Sequence, residues 1–146
     1  IAALTPSPRF SAYVASKSAL DAWSRAAAVE FSDRNVRLTT INMPLVRTPM
    51  IEATTVYDSM PVLTPEEATD MVVEAVINKP KRIATPMGIY LQVMNAVAPK
   101  LSEVIMNVVF RMFSDSAAAR GEKQPEKVAV SNEQVALASL MKGVHF

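Results

Sequence analysis

The chain has 146 residues, half of them hydrophobic, enough for one domain with a sizeable core. Fifteen basic and fourteen acidic side chains leave a net charge of +1, which excludes a strong electrostatic footprint for nucleic acid. The absence of cysteine excludes disulfides and thiolate metal sites, and a single histidine argues against a zinc centre, so no metal site is expected.

A first helix is predicted from about Ser11 to Ser32, with Leu20, Trp23, Ala27 and Phe31 as its core stripe at helical spacing. Ala12, Ala15, Ser16, Ala19, Ala22, Ala26 and Ala28 make its other faces small. Such faces admit a neighbouring helix at close range, or simply reflect alanine's helix propensity. Near its start lie Tyr13 and Lys17, one turn apart on the same face. A phenol ordinarily holds its proton to about pH 10. An ammonium beside it stabilises the phenolate, which suits the pair to exchange a proton with an alcohol or carbonyl oxygen. Taken alone, that spacing also describes a half-exposed tyrosine beside a solvated lysine.

Residues Val36 to Ile41 alternate as a buried parallel strand would, and Asn42 to Met50 follow as a loop. Ligands of parallel sheets bind beyond the carboxyl ends of the strands, which puts this loop at a ligand site. Arg47 would meet a substrate phosphate or carboxylate there, or remain a solvated loop residue. Ile51 to Met60 has short helical character. Thr64, Pro65 and Glu67 mark a helix start, with threonine capping, proline in the first turn and glutamate closing a capping box. Ala68, Met71, Val72, Ala75 and Val76 form its apolar face, and it ends before Pro80. Glu66 and Glu67 are ordinary partners of a helix N-terminus rather than a catalytic dyad. A final strand is predicted over Arg82 to Thr85.

The run from Ile83 to Pro99 is uncharged for 17 residues but carries Gly88, Gln92, Asn95 and prolines, short of the about 20 apolar residues of a membrane span. Two helices broken at Pro99 fit better. The second would present Leu101, Val104, Ile105, Val108 and Met112 on one face, broadened by Met106, Val109, Phe110 and Phe113. Three roles are open for this pair: packing on the rest of the chain, walling a tunnel for an aliphatic substrate, or lying on a membrane surface. The last is weakened because Lys100 and Arg111 are the chief cations beside the apolar face. Ser114 to Gln134 reads as a surface linker, Val135, Leu137, Leu140 and Met141 as a short docking helix, and His145 as terminal packing.

The stretch Pro8-Arg9-Phe10-Ser11-Ala12-Tyr13-Val14-Ala15-Ser16-Lys17 resembles the active-site helix of the short-chain dehydrogenase/reductase superfamily. The strand Val36–Ile41 and the loop ending Val46-Arg47-Thr48-Pro49-Met50 follow in that family's order. The segments 99–107, 111–119 and 140–146 resemble the C-terminal extension of bacterial fatty acyl-CoA reductases of the mycobacterial and Acinetobacter type, whose cofactor loop also resembles Asn42 to Met50.

The resemblance implies an α/β fold, the C-terminal part of a Rossmann-type doubly wound parallel sheet with a helical extension. Residues 1–85 would be the dehydrogenase part and 86–146 the extension. It implies Tyr13 and Lys17 as catalytic residues. Tyr13, Lys17, Pro44, Val46 and Thr48 would bind the cofactor, with Val46 backbone and Thr48 hydroxyl on the nicotinamide carboxamide. Met43-Pro44 replaces the family's usual Pro-Gly, so a proline that lacks an N–H stands where glycine is common. Residues 51–60 would be the substrate lid, and the first helix would build a four-helix interface in a homo-oligomer.

The implied cofactor is NADP, with NAD open, and the implied reaction is reduction of long-chain acyl-CoA to fatty aldehyde. A ketoreductase or alcohol dehydrogenase on another carbonyl is the alternative; a lipid- or membrane-associating helical module without catalysis is the second. A cytoplasmic location is expected, with peripheral membrane contact open. The three glycines, Gly88, Gly121 and Gly143, form no glycine-rich phosphate turn. The family's catalytic serine would fall at or just before Ile1 and its asparagine further upstream. The chain is therefore expected to be the C-terminal portion of a longer enzyme, inactive alone.

Overall fold

The computed structural model describes residues 2–52, 57, 62–112 and 131–140. In chain order these are α1 (Ser11–Glu30), a 3-10 turn (Ser32–Arg34), β1 (Thr40–Ile41), α2 (Pro49–Glu52), α3 (Pro65–Asn78), β2 (Arg82–Ile83), α4 (Pro86–Val97), α5 (Pro99–Met112) and α6 (Asn132–Leu140). The described residues are thus mostly helical around a small sheet.

β1 and β2 pair in parallel, Thr40 opposite Arg82 and Ile41 opposite Ile83. The ladder runs one bond further each way: Thr40 N–H donates to Lys81 at 3.1 Å and Asn42 N–H to Ile83 at 2.8 Å. Both strands are shorter than the sequence predicts. Residues 36–39 lie outside the ladder, with Val36 exposed, and Thr39 spends its hydroxyl on the Pro80 carbonyl at 2.6 Å. Thr85 caps α4 instead of continuing β2, its hydroxyl accepting from Gly88 N–H at 3.2 Å ahead of Pro86 in the first turn.

α1 starts where periodicity puts it, and its expected core stripe is met in part. Ala27 is buried and Phe31 half-buried, whereas Leu20 and Trp23 are 58% and 61% exposed. In the first half of the helix the inward side carries Val14, Ser18, Asp21 and Ser24, with Asp21 paired to an arginine on β2.

The α3 capping box forms as predicted: Thr64 hydroxyl accepts from Glu67 N–H at 3.2 Å, and Glu67 carboxylate accepts from Thr64 N–H at 2.8 Å. Glu66 is held below the usual carboxylate range by its own backbone amide and the Thr64 hydroxyl. Lys79, left-handed at φ 49°, closes the helix before Pro80. Of its expected apolar face Ala68 is buried, Met71 and Ala75 half-buried, and Val72 and Val76 exposed.

The break at Pro99 also forms, and the expected apolar face of α5 is buried only along its margin. Met106 and Val109 are buried together with Ser102 at i, i+4, i+7 spacing and Met112 packs on the core, while Leu101, Val104, Ile105 and Val108 are exposed. Phe113 and most of the predicted linker lie outside the described residues, as do Met141 and His145.

The linker reading also runs too far. Ser131 and Gln134 make a second capping box, Ser131 N–H donating to Gln134 Oε1 at 2.7 Å and Gln134 N–H to Ser131 Oγ at 3.3 Å. Gln134 Nε2 donates to the Met112 carbonyl, which ties α6 to the end of α5.

The hydrophobic core joins Leu45, Ile51 and Tyr57 to Leu91 and Val109, with Val62, Met87, Met94 and Met112 against it. Residues on both sides of position 85 therefore share one core. Among the described residues, no helix is long and apolar enough to cross a membrane.

Candidate active site

Phe10 takes the N-cap position of α1, and Val14 N–H donates back to its carbonyl at 2.7 Å. The first turn carries Tyr13 and the second Lys17, whose Nζ sits 5.3 Å from the centroid of the Tyr13 ring. Ser16 fixes the same turn by donating its hydroxyl to the Tyr13 carbonyl at 2.8 Å.

Both side chains line a cleft of about 280 Å³ with Asp21, Ile41, Asn42 and Met43. That is the carboxyl end of β1, where a parallel sheet offers its ligand site. Pro44, Val46 and Thr48 continue the same loop beyond the described lining of this cleft. Pro44 is buried, and Val46 and Thr48 are half-buried.

Val46 pairs in parallel with Leu63: Leu63 N–H donates to the Leu45 carbonyl and Arg47 N–H to the Leu63 carbonyl, both at 2.9 Å. Because backbone groups alternate along an extended segment, Val46's own N–H and C=O point to the opposite side from Leu63. The Thr48 carbonyl accepts from Ile51 N–H at 3.0 Å and starts α2. Arg47 is exposed. Of the expected lid only its start in α2 and Tyr57 fall within the described residues.

Two features were not singled out from the sequence. One is the ionic network below the Tyr13–Lys17 pair. Asp21, 5% exposed, accepts from Arg25 Nη1 and Arg82 Nη2, both at 2.8 Å. Arg82 Nη1 donates to buried Asn42 Oδ1 at 2.7 Å. The available signal was an aspartate four residues after Lys17 in an alanine-rich helix, with an arginine four residues further on. Its third partner, Arg82, is 61 residues away in sequence, and no local pattern points to it.

The other is Tyr57, buried in the core cluster, its hydroxyl pushed up to about 12 by burial first and by Tyr13 second. The unfolded chain releases this proton near pH 10, whereas the folded chain holds it to about pH 12. The stabilisation is therefore complete below about pH 10 and disappears as pH rises towards 12, amounting to about 2–3 kcal/mol at most. We expect denaturation titrations of the complete protein from pH 9 to 12 to lose stability more steeply than those of Tyr57→Phe. Parallel curves would contradict this.

The short chain dehydrogenase family model matches residues 1–57. Those residues are a short-chain dehydrogenase segment. It contains α1 with Tyr13 and Lys17, β1, and the loop through Thr48. The whole chain is 44% identical over 146 residues to a fatty acyl-CoA reductase of Acinetobacter baylyi, covering 48% of that protein. An uncharacterized oxidoreductase of Mycobacterium bovis is 41% identical over 143 residues, 97% of this chain and 42% of that protein. A fatty acyl-CoA reductase of Mycobacterium tuberculosis is 40% identical over 100 residues, 68% of this chain and 34% of that protein. The chain thus spans less than half the length of each of these relatives. No solved structure matches it.

Proposed function

We propose that the complete protein is an NAD(P)H-dependent short-chain reductase that reduces long-chain fatty acyl-CoA to fatty aldehyde. The observation that carries this reading is the placement of Tyr13 and Lys17 together in the cleft at the carboxyl end of β1. The polar groups present fit a nicotinamide nucleotide: a lysine ammonium and a phenol in the cleft, and the Val46 N–H donor and C=O acceptor directed away from Leu63. A bound nicotinamide would supply the hydride that the protein cannot.

The chain's own residues do the rest. Tyr13 hydroxyl donates a hydrogen bond, or its proton, to the substrate oxygen as negative charge builds there. It recovers that proton as the carbonyl reforms, the C–S bond breaks and CoA leaves as a thiolate that takes a proton from solvent. Lys17 stabilises the negative charge left on the phenolic oxygen and holds the ribose hydroxyls. Val46 and Thr48 orient the carboxamide, and Pro44 fixes the backbone leading into them. NADP is the preferred cofactor on this reading, with NAD as the alternative.

One finding supports an acyl substrate over a small ketone: two of the relatives described above bear the name fatty acyl-CoA reductase. The exposed Leu20, Trp23 and Val29 on α1 support self-association through that helix.

The test is NADPH consumption by the complete protein with palmitoyl-CoA, fatty aldehyde and simple ketones. The acyl-CoA reading requires turnover on palmitoyl-CoA with release of free CoA. Turnover confined to ketones would move the assignment to the ketoreductase alternative.

A further inference from the structure

The cleft's floor holds a buried aspartate that the proposed chemistry does not use. Asp21 lies four residues beyond Lys17 and eight beyond Tyr13, on the same stripe of α1, and lines the same cleft. Both of its oxygens are occupied. Oδ2 takes Arg25, which is more than half exposed, while Oδ1 takes Arg82, which is only 22% exposed. Exposed pairs contribute little, so the Arg82 bond is the one that matters structurally.

Arg82 sits on β2 opposite Thr40 and divides its fork between two elements. Nη2 holds Asp21 on α1 at 2.8 Å, and Nη1 holds Asn42 at 2.7 Å, one residue past the end of β1. Asn42 is itself fixed through its N–H to the Ile83 carbonyl and opens the loop that runs through Pro44 to Thr48. One guanidinium therefore ties the helix bearing Tyr13 and Lys17 to the root of the loop bearing Val46 and Thr48.

A guanidinium presents separate N–H groups in a rigid plane, so it can hold two acceptors at a set separation and angle. A lysine supplies the same charge from a single point and cannot reproduce that geometry. The network is also closed, since among the described residues no buried side-chain polar atom lacks a partner.

We infer that Asp21 and Arg82 are positioning residues that set the distance between the proton donor on α1 and the nicotinamide loop after β1. This rests on the reading of Tyr13, Lys17 and the loop given above. The pair touches neither substrate nor cofactor in this role. It acts through Asn42 at one end and through the α1 stripe at the other. Its effect falls on cofactor alignment and turnover rather than on recognition of the acyl chain.

The experiment compares the complete protein with Arg82→Lys, Asp21→Asn and the double variant. Readouts are kcat, KM for acyl-CoA, NADPH affinity from fluorescence titration, and thermal midpoint. We expect each single variant to lose about 10- to 100-fold in kcat, as misplacement of reacting groups by about 1 Å does, with acyl-CoA KM moving less than about threefold. NADPH affinity should weaken in parallel, and the double variant should be no worse than the poorer single one, because both break the same tie.

Arg82→Lys retains the charge facing Asp21, so it remains informative if Asp21→Asn does not fold. Folded Arg82→Lys with unchanged kcat and NADPH affinity would overturn the inference, even if its thermal midpoint had dropped. Tyr13→Phe, run alongside, separates the two readings. Loss of turnover there with wild-type kinetics in Arg82→Lys sinks only the positioning role. Unchanged turnover in Tyr13→Phe sinks the site assignment itself.

Discussion

Replacing Tyr13 with phenylalanine in the complete protein should lower kcat by about 10²- to 10⁴-fold, the range that a positioned general acid contributes. That corresponds to about 3–5.5 kcal/mol of lost transition-state stabilisation. The substitution removes one oxygen and keeps the ring beside which Lys17 Nζ lies at 5.3 Å, so the local packing survives. Substrate KM and NADPH affinity should therefore stay within a few-fold of wild type. Loss confined to kcat is the signature of an interaction made only in the transition state. Stopped-flow or steady-state NADPH oxidation measures it directly. A variant turning over at the wild-type rate would remove Tyr13 from the chemistry.

Leu91→Ala should destabilise the complete protein by about 2–5 kcal/mol, the cost of emptying a buried leucine site. Leu91 is 6% exposed and stands in the cluster with Leu45, Ile51, Tyr57 and Val109. Those contacts come from the loop after β1, from Ile51 of α2, from Tyr57 and from α5, so a cavity there has few ways to collapse without moving several of them. Urea unfolding followed by fluorescence gives the value, and Leu91→Met, which nearly conserves volume, should cost less than about 1.5 kcal/mol. If both variants unfold with the wild-type midpoint, the cluster does not hold the extension in place.

The two predictions draw on different amounts of sequence information. Tyr13 and Lys17 were legible because their pairing is local: a helix puts residues four apart on one face whatever the rest of the chain does. The capping box at Thr64, the break at Pro99 and the parallel sense of β1 and β2 were legible for the same reason. Each is decided by a few adjacent residues or by the order of elements.

What failed was part of the inward face of each helix. Leu20 and Trp23 fit the same apolar stripe as buried Ala27, yet Asp21 faces inward where Arg82, far along the chain, supplies its counter-charge. On α5 the residues expected to lead, Leu101, Val104, Ile105 and Val108, are exposed, while Met106 and Val109 from the margin of that face are buried beside Ser102. Tyr57 gave no periodic signal at all. Its burial depends on Leu91 and Val109, which belong to another part of the sequence.

Arg9 adds a long-range clasp of its own. It holds a left-handed backbone at φ 68° immediately before the Phe10 cap of α1. Its Nη1 donates to the Phe110 carbonyl at 3.1 Å, and the guanidinium lies 4.2 Å from that ring's centroid. A non-glycine residue keeps such a conformation only where its surroundings enforce it. The pitch at which α1 leaves its preceding turn is thus referenced to a residue a hundred positions downstream. Taking away the ring at position 110 would remove the aromatic seat on which that guanidinium rests.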